Sequence, residues 1–189
     1  MTRNAWQGEL VTLRDIEPDD WEAFWQNDQD SEAARFGWQI HFPRSREGTK
    51  AWAEEMSKKK TEDDNHFFAM VDTDGKVVGS MNAHGCDRRN GTFEYGISVN
   101  RDCWGKGYAS DAMKVLFRYF FDELGYHKAG AVVYGYNDRS IAMHERFGFV
   151  REGVLREAKY TDGKRHDIIF FGMTAPEFRA RYPAPRASV

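Results

Sequence analysis

The sequence predicts an α/β chain, α+β in detail, with a mixed, mostly antiparallel central sheet flanked by helices. Three observations predict it. Asp74-Gly75, Asn90-Gly91 and Asp162-Gly163 each separate two strand-like runs, and these dipeptides are the strongest short hairpin signals available. Helical stretches follow 107 and 137, on either side of the strand-like run AGAVVYGYN. The region before residue 60 is largely helical in pattern.

Residues 11–16 alternate enough for a first strand. A helix over 18–27 follows: Glu17 is a poor cap, but Pro18 suits the first helical position, and Asp19 and Asp20 put negative charge in the first turn. A second helix is expected over 31–36. The apolar loop Gly37-Trp38-Gln39-Ile40-His41-Phe42-Pro43 comes next, and Ser45 caps a third helix running to 59. Strands are expected at 66–72, 76–84 and 91–99, a helix from 108 to about 121, and a strand at 129–136. A helix at 138–147 and strands at 149–160 and 164–173 complete the order β-αα(α)-βββ-α-β-α-ββ. The chain reads as one domain, 1–189, with a core over about 8–174 and a C-terminal tail over 175–189.

Composition narrows the function classes. Apolar residues at 41% and aromatic ones at 15% are globular proportions. A formal charge of −3 offers no basic excess to displace counterions, so nucleic acid is not expected as a partner. The densest basic run, Lys58-Lys59-Lys60, is met by Glu62-Asp63-Asp64 and reads as a solvated helix end. Cys86 and Cys103 lack the spacing of a zinc framework or a disulfide scaffold, and no metal site is expected. The opening MTRNAWQGEL is too polar for a signal peptide and no apolar run reaches membrane-span length. No membrane partner and a cytoplasmic location are therefore expected.

The stretch NRDCWGKGYASDAMKVLFRYFF, residues 100–121, carries the functional signal. Its helix is apolar apart from Ser110 and a stripe at Asp111, Lys114, Arg118 and Asp122, so it is expected to be buried on most sides. A helix N-terminus offers unpaired N–H groups and partial positive charge. Gly105 and Gly107 permit unusual φ and remove side chains that would hold a ligand away. Strand, glycine turn and rigid helix together make a pyrophosphate cradle; a merely tight turn is the plain alternative. The stretch lacks the Walker pattern GxxxxGK[ST]. A dinucleotide fingerprint needs a parallel βαβ unit ending in an acidic residue, whereas the preceding strands are hairpin-linked and AGAVVYGYN ends in asparagine.

The segment Trp104-Gly105-Lys106-Gly107-Tyr108-Ala109 resembles the acetyl-CoA signature Q/R-x-x-G-x-G/A of the GNAT N-acetyltransferase superfamily, with Trp104 departing from its first position. WGKGYA-type turns resemble the branch of ribosomal-protein alanine and spermidine acetyltransferases. FEYGISV, NDRSIAMHERFGFVREGVL and YTDGKRHDIIFFGM match the same branch, in the same order. The resemblance covers nearly the whole chain. It implies a GNAT fold with a V-shaped splay between the fourth and fifth strands, acetyl-CoA as co-substrate, and an amine acceptor. Relatives often form homodimers. It further implies that the backbone of Ile97, Ser98 and Val99 pairs with the pantetheine arm. Backbone N–H groups from Gly105 through Lys106, Gly107, Tyr108 and Ala109 to Ser110 would hold the pyrophosphate, Lys106 adding charge. Asn137 would hydrogen-bond the pantetheine, with an ordinary helix cap as its alternative, and Ser140 would lie within reach.

Acetyl transfer to an amine needs a neutral nitrogen, a polarised carbonyl and a proton for the leaving thiolate. An amine resembling lysine is mostly protonated at neutral pH, so a carboxylate helps remove its proton. Glu94 is the first candidate base, sharing a strand face with Gly96 and Ser98. A cross-strand ion pair is its alternative. His144 stands where many superfamily members carry a proton-donating tyrosine; it is the candidate acid, with a packing histidine as the alternative. His84, Asp87, Glu157, Lys159 and Tyr160 rank lower as cleft residues, and nothing marks Cys103 as a nucleophile. Trp21, Trp25, Phe36, Trp38 and Phe42 with Asp28, Asp30 and Glu32 would suit a cationic amine, or serve as core. The expected activity is transfer to a primary amine (a small amine or polyamine, or a protein amine) by direct attack in a ternary complex. A non-catalytic acyl-CoA-binding domain is the main alternative and a nicotinamide oxidoreductase a distant one.

Overall fold

Period-two alternation sorts the strand side chains between two helical layers in the computed structural model, which describes residues 4–60 and 63–183. The elements are β1 (Val11–Arg14), α1 (Trp21–Asp28), α2 (Ser31–Gly37), α3 (Arg46–Lys58), β2 (His66–Asp72), β3 (Val77–Asp87) and β4 (Thr92–Val99). They continue with α4 (Tyr108–Arg118), β5 (Lys128–Tyr134), α5 (Asp138–Phe147), β6 (Val150–Thr161), β7 (Lys164–Thr174) and α6 (Ala175–Arg181). One seven-stranded sheet runs β1-β2-β3-β4-β5-β7-β6; β4 and β5 are parallel and every other neighbouring pair is antiparallel. This is the mixed sheet that the hairpin signals predict.

On β2, Phe68 and Met70 face the larger core with α4, while Ala69 and Val71 face Ile16 and Ala53 beneath α1 and α3. Phe93 and Tyr95 of β4 also turn toward α4, where Phe117, Phe120 and Phe121 are buried. Burial of these aromatic rings, each contributing roughly 2–3 kcal/mol, holds α4 against the sheet.

The structure departs from the sequence-based elements in three places. The helix expected over 18–27 divides into a 3-10 turn, Pro18–Asp20, and α1. Asp20 accepts from the N–H of Glu17 at 2.8 Å and takes both guanidinium nitrogens of Arg14, which anchors the tighter turn. After Arg118, α4 widens into a π-helical turn, Tyr119–Glu123. The wider turn buries the consecutive rings of Phe120 and Phe121 together. The stretch 175–181, expected within a tail, is helix α6, and its Phe178 is 1% exposed. A capping box between Thr174 and Glu177, with proline in the first turn, starts that helix; this is the signal the sequence reading passed over. Residues 184–189 lie outside the described residues.

Candidate functional site

The site is organised by a pairing that stops early. Parallel strands β4 and β5 match only from Thr92 opposite Lys128 to Glu94 opposite Gly130. Beyond that point β4 stays paired with β3 as far as Val99 opposite Gly79, and β5 stays paired with β7 as far as Tyr134 opposite Ile168. The facing edges therefore separate, and among the described residues the backbone groups along the edge of β4 from Tyr95 onward have no strand partner on that side. The expected splay is present. Its open end leads directly to the glycine turn.

Gly105 and Gly107 both hold left-handed φ, +77° and +88°, which a side chain would strain. Gly107 caps α4, and the first intrahelical bond runs from the Asp111 N–H to its carbonyl at 3.1 Å. The N–H groups of Tyr108, Ala109 and Ser110 precede that ladder. A Cβ on Gly107 would meet the side chain of Leu10 at 3.1 Å, whereas one on Gly105 would meet nothing within 4 Å. Asp111 fixes Leu10 in turn: its carboxylate is buried and accepts from the N–H groups of Leu10 at 2.8 Å and Val11 at 3.1 Å. The sequence reading put Asp111 on a polar stripe; burial against the N-terminal segment replaces that placement.

Trp104 fills the corner between β4 and the turn. Its indole N–H donates to the carbonyl of Val99 at 2.6 Å, which fastens the turn to the end of β4. Arg101 and Arg139 lie over its ring at 4.8 and 4.1 Å. Lys106 is exposed beside the turn.

Helix α2 crosses the mouth of the splay. Arg101, just after β4, pairs with Asp30 and with Glu32 at 2.9 Å. Hydrogen bonding from Arg101, then from the N–H of Ala33, pushes the Asp30 carboxyl down to about 2. On the β5 side, the hydroxyl of Tyr136 donates to the carbonyl of Arg35 at 2.6 Å, and Nδ2 of Asn137 to that of Phe36 at 3.4 Å. The β6–β7 hairpin closes over the same helix through Arg35 with Asp162 at 3.3 Å and through Lys159 with the carbonyl of Trp38. Asn137 also caps α5, its Oδ1 accepting from the N–H of Ser140 at 3.1 Å.

Glu94 is exposed on the face opposite Phe93 and Tyr95, with His84 across on β3 and Gly130 on β5. Among the described residues it makes no ion pair, so the cross-strand alternative is not what holds it. A cavity of about 700 Å³ reaches the same face of the sheet at Asn82 and His84. His144 is 3% exposed. Its Nδ1 lies 2.7 Å from the carbonyl of Ser140, which can only accept, so the proton resides there. Nε2 is then the acceptor for the hydroxyl of Tyr95 at 2.8 Å. Burial lowers the pKa of His144, partly opposed by the Ser140 carbonyl. Burial thus favours the neutral form, and both nitrogens are engaged within the core.

Other expected residues separate. Asp87 serves its own turn, accepting from the N–H and side chain of Asn90. Cys103 is buried and its thiol is pushed up, chiefly by burial. Trp21 and Trp25 receive Lys50 and Arg46 of α3 at 4.8 and 4.5 Å, Phe36 packs beside Trp104 and Tyr136, Trp38 meets Lys159, and Phe42 is 97% exposed, so these five residues form no single aromatic cluster. The sequence reading missed Tyr95, Arg101, Tyr134, Tyr136 and Arg139. Alternation from Phe93 marks Tyr95 as inward; no local pattern marks the others.

Comparison with known proteins gives a consistent picture. The family model for the acetyltransferase (GNAT) domain matches residues 11–150. The SPbeta prophage-derived N-acetyltransferase YokL of Bacillus subtilis (strain 168) is 40% identical over 182 residues, covering 96% of this chain and 99% of the relative. A crystal structure named as that of a probable acetyltransferase superposes with a TM-score of 0.79 at 25% identity, covering 94% of this chain and 98% of the other. Spermidine N-acetyltransferase from Vibrio cholerae, solved with CoA and spermine, has a TM-score of 0.75 at 20% identity, covering 89% and 97%. That last likeness is one of fold.

Proposed function

The chain belongs to the GNAT acetyltransferase family, and from that premise we propose that it moves an acetyl group from acetyl-CoA to a primary amine by direct attack in a ternary complex. The splay between β4 and β5, opening onto the glycine turn, is the observation that carries this reading. The residues there fit the coenzyme. Unpaired N–H groups at the start of α4 and the exposed Lys106 suit a pyrophosphate, and Arg139 has no carboxylate partner among the described residues. Acetyl-CoA, when bound, supplies the activated acyl group as a thioester.

The chain's own residues then divide the work. Backbone groups of Ile97 and Ser98 on the open edge of β4 orient the pantetheine arm as a neighbouring strand would. The N–H groups from Gly105 to Ser110 hold the phosphates, while Trp104 braces the turn from behind. Asn137 caps α5 beside the arm and Ser140 follows one turn in. Glu94 takes the proton from the amine, directly or through water. His144 acts as a positioning residue, since its Nδ1–H is held by the Ser140 carbonyl and its Nε2 by the Tyr95 hydroxyl, leaving neither nitrogen for the departing thiolate.

Initial rates with acetyl-CoA and an amine varied together test the reading. Intersecting double-reciprocal lines are expected. Parallel lines would indicate an acyl-enzyme instead, and coenzyme binding without thiol release would favour a binding domain. A cytoplasmic place belongs to the same proposal; among the described residues no helix is long and apolar enough to cross a membrane.

A further inference from the structure

We propose that Lys159 sets the charge of the acceptor: it fills the aromatic slot at the β5 end of the cleft, turning away polycationic amines and favouring an amine with an anionic group close by. The proposal rests on the acetyl-transfer reading above and adds the substrate class to it.

Lys159 sits on β6, half-buried, and reaches across to α2. Its ammonium donates to the carbonyl of Trp38 and lies 5.2 Å from the ring of Trp38 and 4.4 Å from that of Tyr134. Tyr136 stacks on Tyr134 at 5.6 Å, and His166 meets the edge of Tyr136 at 4.7 Å. An alkylammonium over aromatic faces, with a carbonyl to accept its hydrogen bond, is how a protein takes a polyamine arm. Here the chain's own lysine occupies that place.

Three carboxylates on and around α2 are already paired with arginine. Asp30 and Glu32 are held by Arg101, and Asp162 by Arg35. No carboxylate pairs with Lys159 among the described residues, and burial lowers its pKa, as expected for a desolvated cation without a counter-ion. Each further ammonium of a polyamine would meet this charge at reduced dielectric, whereas a carboxylate or phosphate beside the reacting amine would pair with it. Glu94 stands at the splay point itself, opposite Gly130, where the proposed reading has it serve the reacting nitrogen.

Two matched pairs of acceptors test the proposal with the full chain. The first is 4-aminobutyrate against 1,4-diaminobutane, which differ in the group at the far end. The second is a lysine-free peptide with a free N-terminal alanine followed by glutamates, against its arginine counterpart. The anionic member of each pair should have the higher kcat/KM, by about tenfold at low salt, and added salt should narrow the gap. Lys159→Arg should keep the preference and Lys159→Glu should reverse it. Equal rates, a preference for the cationic members, or a ratio unmoved by Lys159→Glu would overturn the inference while leaving acetyl transfer standing. Failure of all four amines to react, while acetyl-CoA still raises the melting temperature, would overturn both the inference and the transfer reading.

Discussion

The hydroxyl of Tyr95 donates to Nε2 of His144 across 2.8 Å and ties the splayed strand β4 to helix α5 inside the core. Both partners are buried, and the ring of His144 also stacks on Phe171 at 5.3 Å. The two walls of the cleft are thereby linked through one polar contact.

That contact predicts a pH dependence of stability. Burial holds the folded pKa of His144 below its ordinary 6.5, so the unfolded chain takes up the proton first as pH falls. The contribution of the pair is complete above about pH 6.5 and declines below it. His144→Phe leaves the Tyr95 hydroxyl only the sulfur of Met113, a weak acceptor at 3.7 Å, and should cost about 1–3 kcal/mol at pH 7.5. Urea denaturation at pH 7.5 and 5.5 should show a smaller acid loss in the variant than in the parent. Equal losses would count against a buried neutral histidine.

A second prediction concerns Glu94. Its replacement by glutamine keeps the shape of the strand face and removes the base. Turnover should fall about 100-fold or more at neutral pH, with the coenzyme dissociation constant unchanged, and recover in part as pH rises and the amine deprotonates unaided. A variant with undiminished turnover would return Glu94 to the surface of the strand.

A third prediction concerns the brace behind the turn. Among the described residues Asp111 is the one side chain bonded to the N–H groups of Leu10 and Val11, and Leu10 packs against Gly107. Asp111→Ala should cost about 3 kcal/mol by urea denaturation, since one buried and one partly buried donor lose a charged acceptor. Acetyl-CoA affinity should fall with it because the turn loses its backing; unchanged stability and affinity would remove Asp111 from this role.

Much of this was legible in the residues. Glycine-containing turns announced the hairpins because φ above zero confines those positions to a few residue types, as at Asp162 and Gly163, with φ of +52° and +72°. The glycine turn was legible because Gly105 and Gly107 answer a backbone demand. Glu94 could be assigned a face because strand alternation is rigid. The state of His144 was not legible: it depends on Tyr95, 49 positions away, and on a ring of aromatic neighbours. Nor were the ties of α2 to Arg101, Tyr136 and Lys159, which join residues far apart in the chain. Asp30 and Glu32 looked available to a cation until Arg101 was placed between them.

The most direct measurement of the central claim is thermal stability with and without acetyl-CoA, in the parent and in Gly107→Glu. A ligand bound only by the folded state raises the melting temperature when present well above its dissociation constant. The variant places a carboxylate at the N-terminus of α4, against Leu10 and where the phosphates would lie. A clear rise in the parent, lost in a variant that still unfolds cooperatively, is the predicted result. No rise in the parent at millimolar acetyl-CoA would contradict the coenzyme site at this turn.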